Sequence, residues 1–176
     1  MKRTQGAIIL VGYMGCGKST IGRKLALRLG GRMVDTDKLI EEREGATVFD
    51  IFQYEGEERF REIEREVLQQ VMADEGVAVI STGGGLPAWR DNMELMNAGG
   101  RTVYLKRSAE NIASRLSPFG RQKRPRLRGL NDEELVRFMR SDMAARDPYY
   151  SRAIQTIACE GMSDDEIIQA IVRFND

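Results

Sequence analysis

Residues 7–19 read Ala7-Ile8-Ile9-Leu10-Val11-Gly12-Tyr13-Met14-Gly15-Cys16-Gly17-Lys18-Ser19, and this stretch decides the fold. From Gly12 onward it matches G-x-x-x-x-G-K-[ST] in full. An unbroken apolar run precedes the match and an amphipathic stretch, Lys18–Leu29, follows it, so the loop joins a buried strand to a helix. The glycines let backbone N–H groups turn inward around phosphate oxygens, and the helix start adds the positive end of its dipole. Gly15, Cys16, Gly17, Lys18, Ser19 and Thr20 are therefore the expected nucleotide-phosphate set. Lys18 supplies a compact cation for the β and γ phosphates of ATP, and the Ser19 hydroxyl supplies one position on Mg²⁺. Cys16 reads as a small loop residue before it reads as a redox switch.

Outward from this loop, short apolar runs alternate with longer amphipathic segments. Ala7–Val11, Met33–Val34, Val77–Ile80, Thr102–Leu105 and Ile154–Ala158 read as strands. Helices are expected over Lys18–Leu29, Lys38–Arg43 and Glu57–Met72; the last puts Phe60, Ile63, Val67, Leu68, Val71 and Met72 on one face. Asn131 opens another helix toward Ala145, closed by Pro148, and Ser163-Asp-Asp-Glu166 is a capping box for the final one. Strand and helix in this rhythm build βαβ units and a parallel sheet covered by helices, an α/β fold. The chain, 1–176, reads as one domain.

Composition narrows the chemistry. The chain has 176 residues, with 27 Lys plus Arg against 27 Asp plus Glu and no net charge, which argues against a coat for nucleic acid. Histidine is absent, so no Ser-His-Asp hydrolase and no histidine-held metal is available. Cys16 and Cys159 are the two cysteines and form no C-x-x-C pair, too few for a zinc cluster or a disulfide framework. The N-terminal apolar run is too short for a secretory or membrane-spanning segment, so a cytoplasmic location is expected.

Several side chains then stand out against a P-loop background. Asp35-Thr36-Asp37 closes the second strand, where an open parallel sheet forms its ligand crevice. Asp35 suits Mg²⁺ and Asp37 suits a hydroxyl proton, and the two share a side only while the chain stays extended; either alone could instead cap the next helix. Ser81-Thr-Gly83-Gly84-Gly85 ends another strand and admits a ligand close to the backbone. Ser81 stands where many P-loop proteins place a metal-organising Asp, so metal contact leans on Ser19 and Asp35. Arg61 sits beside the apolar face of its helix, placed either for a substrate carboxylate or for solvent, in an acid-rich stretch read mainly as solvated helix faces. Residues 115–129 hold six basic residues, two prolines, two glycines and no acid. Arg121–Gly129 is too basic to pack and reads as a lid bringing an arginine to the phosphates, or else as a nucleic-acid contact. Arg146 precedes Pro148 at a helix C-terminus, where a cation also counters the dipole.

In this order the residues resemble shikimate kinase: the P-loop, Asp35-Thr-Asp37, Phe60-Arg61, Gly83-Gly84-Gly85, Arg124-Pro125 and Arg146-x-Pro-x-Tyr150, over roughly residues 7–150. The resemblance implies a three-layer P-loop fold with a five-stranded parallel sheet in the order 2-3-1-4-5, flanked by helices, and a mobile lid over about residues 115–130. It implies transfer of the ATP γ-phosphoryl group to the 3-hydroxyl of shikimate, toward chorismate and the aromatic amino acids. Lys18, Asp37 and Arg124 become the catalytic residues. Asp37, Arg61, Gly84 and Arg146 hold shikimate, Ser19 and Asp35 serve Mg²⁺, and Arg124 joins Gly15–Thr20 on ATP. The partners expected are then shikimate and ATP, with no nucleic acid or membrane, and the protein a monomer.

The sequence departs from the family pattern in the lid, which commonly reads Arg-Pro-Leu-Leu and here reads Arg124-Pro125-Arg126-Leu127. Arg115 and Arg121 both suit an adenine-stacking role. A kinase acting on another acidic polyol, such as gluconate, would use the same paired arginines. A nucleotide-dependent binding switch would leave Asp37 and Arg61 without a task.

Overall fold

The computed structural model describes residues 6–175. Strand β1 (Ile8–Val11) is buried at every position and lies in the middle of a sheet, hydrogen-bonded on either side to β3 (Val77–Ser81) and β4 (Arg101–Lys106). The outer strands are β2 (Arg32–Asp35) and β5 (Gln155–Ala158), which gives the order β2-β3-β1-β4-β5 with every pairing parallel. Helices cover both faces of the inner strands, so β1 and β3 show no polar alternation, whereas the edge strand β5 alternates buried with exposed. The expected strand order is the one found.

Register fixes where the chemistry collects. Leu10 and Asp35 both pair with Ser81, so the carboxyl ends of β2, β3 and β1 lie within a residue of one another, while Val11 pairs with Tyr104 and β4 runs two residues further. The loops leaving those ends open onto one crevice, as the geometry of open parallel sheets requires.

The helices are α1 (Lys18–Arg28), α2 (Thr36–Glu44), α3 (Val48–Glu55), α4 (Glu57–Met72), α5 (Asn92–Gly99), α6 (Ala109–Arg115), α7 (Pro118–Gln122), α8 (Asp132–Tyr150) and α9 (Asp164–Val172). Capping boxes open α8 at Asn131 and α9 at Ser163, as their sequences predict. The stripe Phe60, Ile63, Val67, Leu68 and Val71 of α4 is buried. Helices α3, α5, α6 and α7 are additions to the sequence reading. No helix among the described residues is long and apolar enough to cross a membrane.

Three expectations need correction. Pro148 does not end its helix: α8 runs on to Tyr150, and the Ser151 N–H closes the turn on the Asp147 carbonyl at 2.9 Å. Only the Ala144 carbonyl loses its helical donor, a small cost within a turn of the helix end. Second, Asp35 and Asp37 are not two positions of one extended strand. The Asp35 side chain caps α2, accepting from the N–H groups of Asp37 and Lys38, and Asp37 already lies in the first helical turn. Third, the basic stretch does pack. Leu127 is buried, and Arg124 and Arg128 donate to the carbonyls of Gly120 and Gln122, so the segment folds on itself as α7 and a 3₁₀ turn at Pro125–Leu127.

Candidate active site

The phosphate loop leaves β1 and enters α1 through Gly15 and Gly17, whose φ angles of 79° and 105° are open to glycine and strained for other residues. No side chain caps α1, so its first N–H groups face the crevice. Lys18 is buried, and its ammonium donates to the Gly12 carbonyl at 2.6 Å and to the Tyr13 carbonyl at 3.1 Å. The Ser19 hydroxyl donates to Asp35 Oδ2 at 2.7 Å. Asp35 therefore caps α2 with one oxygen and meets the Ser19 hydroxyl with the other.

A crevice of about 590 Å³ begins at this loop and brings together Gly15, Gly17, Lys18, Ser19, Thr20, Asp35, Asp37, Gly83, Gly84, Arg115 and Arg124. Of the two arginines suited to adenine, Arg115 lines the crevice, whereas Arg121 pairs with Asp132 at 2.6 Å. Cys16 is buried beneath the loop. Burial lowers the Arg124 pKa, leaving a partly desolvated cation on the crevice that the glycine-rich loop lines.

Beside the phosphate loop, the glycine run after β3 is hemmed in by charged side chains. A Cβ on Gly83 would lie 2.6 Å from Asp37 Oδ1 and 2.8 Å from Glu64 Oε1, so no larger residue fits between those carboxylates. Gly84 lies beside Arg146 and Gly85 beside Arg61, which places both guanidinium groups around the same few backbone atoms. The Tyr150 hydroxyl donates to the Gly84 carbonyl at 2.5 Å, tying the end of α8 to this loop. That bond gives the Arg146-x-Pro-x-Tyr150 spacing a physical meaning: one residue points into the pocket while the other fastens the helix.

Glu64 is the residue that sequence reasoning missed. It pairs with Arg61 one turn earlier on α4, its carboxyl is buried, and Oε1 has no hydrogen-bond partner. Burial raises its pKa to about 7, against the opposing pull of Arg61. Burial, with the nearby charge of Asp35, likewise raises Asp37 to about 6 while Lys18 opposes it. The signal was present, since Glu64 lies four residues after Phe60 and four before Leu68 on the buried stripe. Arg107, at the end of β4, was also missed: it is buried, and donates to the carbonyls of Cys16 and Cys159 at 3.0 and 3.3 Å and to Asn111 at 3.0 Å.

The site therefore has the glycine-rich loop before α1, a pair of arginines on the adjoining glycine run, and beside them a half-buried carboxylate, Asp37, with raised proton affinity. Comparison with known proteins points the same way. The family model described as shikimate kinase matches residues 14–175. A shikimate kinase of Parabacteroides distasonis is 46% identical over 164 residues, covering 93% of this chain and 94% of that protein. The crystal structure of shikimate kinase from Bacteroides thetaiotaomicron superposes with a TM-score of 0.87 at 40% identity, covering 96% of this chain and 97% of the other. Shikimate kinase from Acinetobacter baumannii, solved in complex with shikimate, gives 0.83 at 36% identity, over 96% and 92% of the two chains.

Proposed function

The chain belongs to the shikimate kinase family, an ATP-dependent kinase activity on shikimate, and from that premise we propose how its own residues perform the reaction. The observation that carries the reading is the convergence of Arg61 and Arg146 on Gly84-Gly85, next to Asp37 and alongside the phosphate loop. Two guanidinium forks are suited to a carboxylate, and the half-buried Asp37 beside them is suited to the ring hydroxyls.

In this reading the carboxylate of shikimate lies between Arg61 and Arg146, with Gly84 along the ring. Glu64 fixes the Arg61 guanidinium. ATP phosphates enter the loop from Gly15 to Thr20, and Lys18 exchanges the carbonyls of Gly12 and Tyr13 for β and γ oxygens. Arg115 takes the adenine side and Arg124 the transferring group. The 3-hydroxyl oxygen attacks the γ phosphorus, the bond to the bridging oxygen breaks, ADP leaves, and Asp37 accepts the hydroxyl proton. A carboxylate held near pKa 6 takes that proton more readily than an exposed aspartate would. Lid closure over both substrates excludes water, the competing acceptor.

The residues also suit Mg²⁺. Ser19 Oγ and Asp35 Oδ2 are hard oxygen donors 2.7 Å apart, and the described residues hold no larger His/Cys/Asp/Glu cluster. That sparse set matches an ion completed by phosphate oxygens and water. When bound, Mg²⁺ neutralises phosphate charge during transfer. The same reading makes the protein a cytoplasmic monomer whose partners are the two small substrates.

The test is ADP release from Mg-ATP with and without shikimate, with gluconate as a parallel acceptor. A large stimulation by shikimate alone is expected; stimulation by gluconate, or by neither acceptor, overturns the substrate reading.

A further inference from the structure

The lid residue that departs from the family pattern has a partner. One Arg126 Nη nitrogen lies 3.6 Å from Asp142 Oδ1, and the guanidinium lies over the Phe138 ring at 5.0 Å. Phe138 and Asp142 are one turn apart on α8, so the lid arginine rests along that helix. Asp142 itself is only 14% exposed and is shared. Its Oδ2 accepts from the Tyr13 hydroxyl, in the phosphate loop, at 2.7 Å, and lies 3.8 Å from Arg146, one turn further along α8. The Arg146 guanidinium also sits over the Tyr13 ring at 5.7 Å. One carboxylate thus touches the phosphate loop, the lid and the arginine proposed to hold the substrate carboxylate.

Magnitude separates a latch from a staple. Arg126 is 57% exposed, and a pair open to solvent on one side is worth about 0–1 kcal/mol. Such a contact is too weak to pin the lid permanently and is strong enough to bias a lid that must open every turnover. The sign of the coupling follows from the charges. Asp142 lies between two cations, and Arg146 repels Arg126. A substrate carboxylate on Arg146 cancels that repulsion and strengthens the hold on Arg126.

We propose that Asp142 is a positioning residue which couples occupation of the Arg146 site to lid closure, with Arg126 as the lid's latch. The inference rests on the substrate reading above. Shikimate then closes the lid by electrostatics, and water is excluded from the transferring group once the acceptor is in place.

The experiment measures two products, ADP and phosphorylated shikimate, for the full-length protein and for Arg126→Leu, Arg126→Lys, Asp142→Asn and the double variant Arg126→Leu/Asp142→Asn. Arg126→Leu is expected to raise ADP formed without transfer by about two- to fivefold, the range an exposed ion pair supports. Its shikimate KM should stay within about twofold, and Arg126→Lys should restore the wild-type ratio. Asp142→Asn should raise both the uncoupled ADP and the shikimate KM, and adding Arg126→Leu to it should add no further uncoupling. Unchanged coupling in Arg126→Leu, or independent addition of the two effects, overturns the proposal. If Asp142→Asn fails to fold, the comparison of leucine with lysine at 126 still decides it. Wild-type protein that ignores shikimate refutes the substrate reading instead, so the two failures are distinguishable.

Discussion

Replacing Gly85 by alanine moves a functional side chain without asking the backbone to change. Gly85 has φ −92° and ψ −15°, in the right-handed region that alanine adopts freely. A Cβ built there lies 2.7 Å from Arg61 Nη1 and 2.8 Å from its Cζ, so the guanidinium must leave its position. If Arg61 holds the substrate carboxylate, the variant loses one charge-assisted contact, worth about 1.5–3 kcal/mol. At about 1.4 kcal/mol per tenfold, the shikimate KM rises by about ten- to hundredfold. Steady-state kinetics with each substrate varied in turn is the assay, with circular dichroism confirming the fold. The ATP KM should stay within about twofold, because the ion-pair partners of the displaced Arg61 are Glu57 and Glu64 of α4 rather than residues of the phosphate loop. A folded variant whose shikimate KM is unchanged would refute the assignment of Arg61, and an equal rise in both KM values would mean that the glycine loop had been disrupted generally.

Asp37→Asn should cut kcat by at least about a hundredfold with ATP binding retained, and wild-type kcat should fall below about pH 6 as Asp37 takes up its proton. The same change should stabilise the protein. The native carboxyl holds its proton more tightly than the unfolded chain does, so its contribution to stability falls as pH climbs from about 4 toward 6 and stays lost above. The Asp37→Asn variant should therefore gain about 1–3 kcal/mol in urea unfolding at pH 7 and nothing below about pH 4; no gain at pH 7 would mean that Asp37 is well solvated. Arg124→Ala should lower kcat by more than about a hundredfold with little change in shikimate KM, and an equal loss of both would remove it from the phosphates. Arg107→Met leaves the buried Cys16 and Cys159 carbonyls without this donor, which should cost about 1–3 kcal/mol by thermal unfolding and weaken Mg-ATP more than shikimate.

What can be read in advance is whatever the chain encodes locally. The strand, loop and helix of residues 7–29 are contiguous, and each part has its own physical signature, so the phosphate site is plain before any coordinates. Capping boxes likewise place the starts of α8 and α9. Asp37 reads as a site residue but in the wrong geometry, because Asp35 could either extend a strand or cap a helix, and a short stretch does not choose between them. Glu64 hides behind composition: surrounded by exposed acids, it looks like another, although helical period places it inward. Arg107 is illegible in principle. Its two carbonyl partners lie 91 and 52 residues away, and only strand order brings them to the end of β4. The Asp142 cluster is of the same kind, assembled from the phosphate loop, the lid and α8.

The fastening of Tyr150 to the Gly84 carbonyl has a mechanical consequence. Helix α8 is 19 residues long, about 28 Å, with its buried foot at Tyr150 and its other end joined to the lid at Asn131. Arg146 lies about 6 Å from the foot, so the helix is a lever with its fulcrum close to the Gly84 loop. A tilt about Tyr150 that shifts Arg146 by about 1 Å carries the Asn131 end by about 5 Å. The shortest arm belongs to the carboxylate pocket and the longest to the lid, so an adjustment the size of a tightened hydrogen bond at one end is a gate-sized displacement at the other.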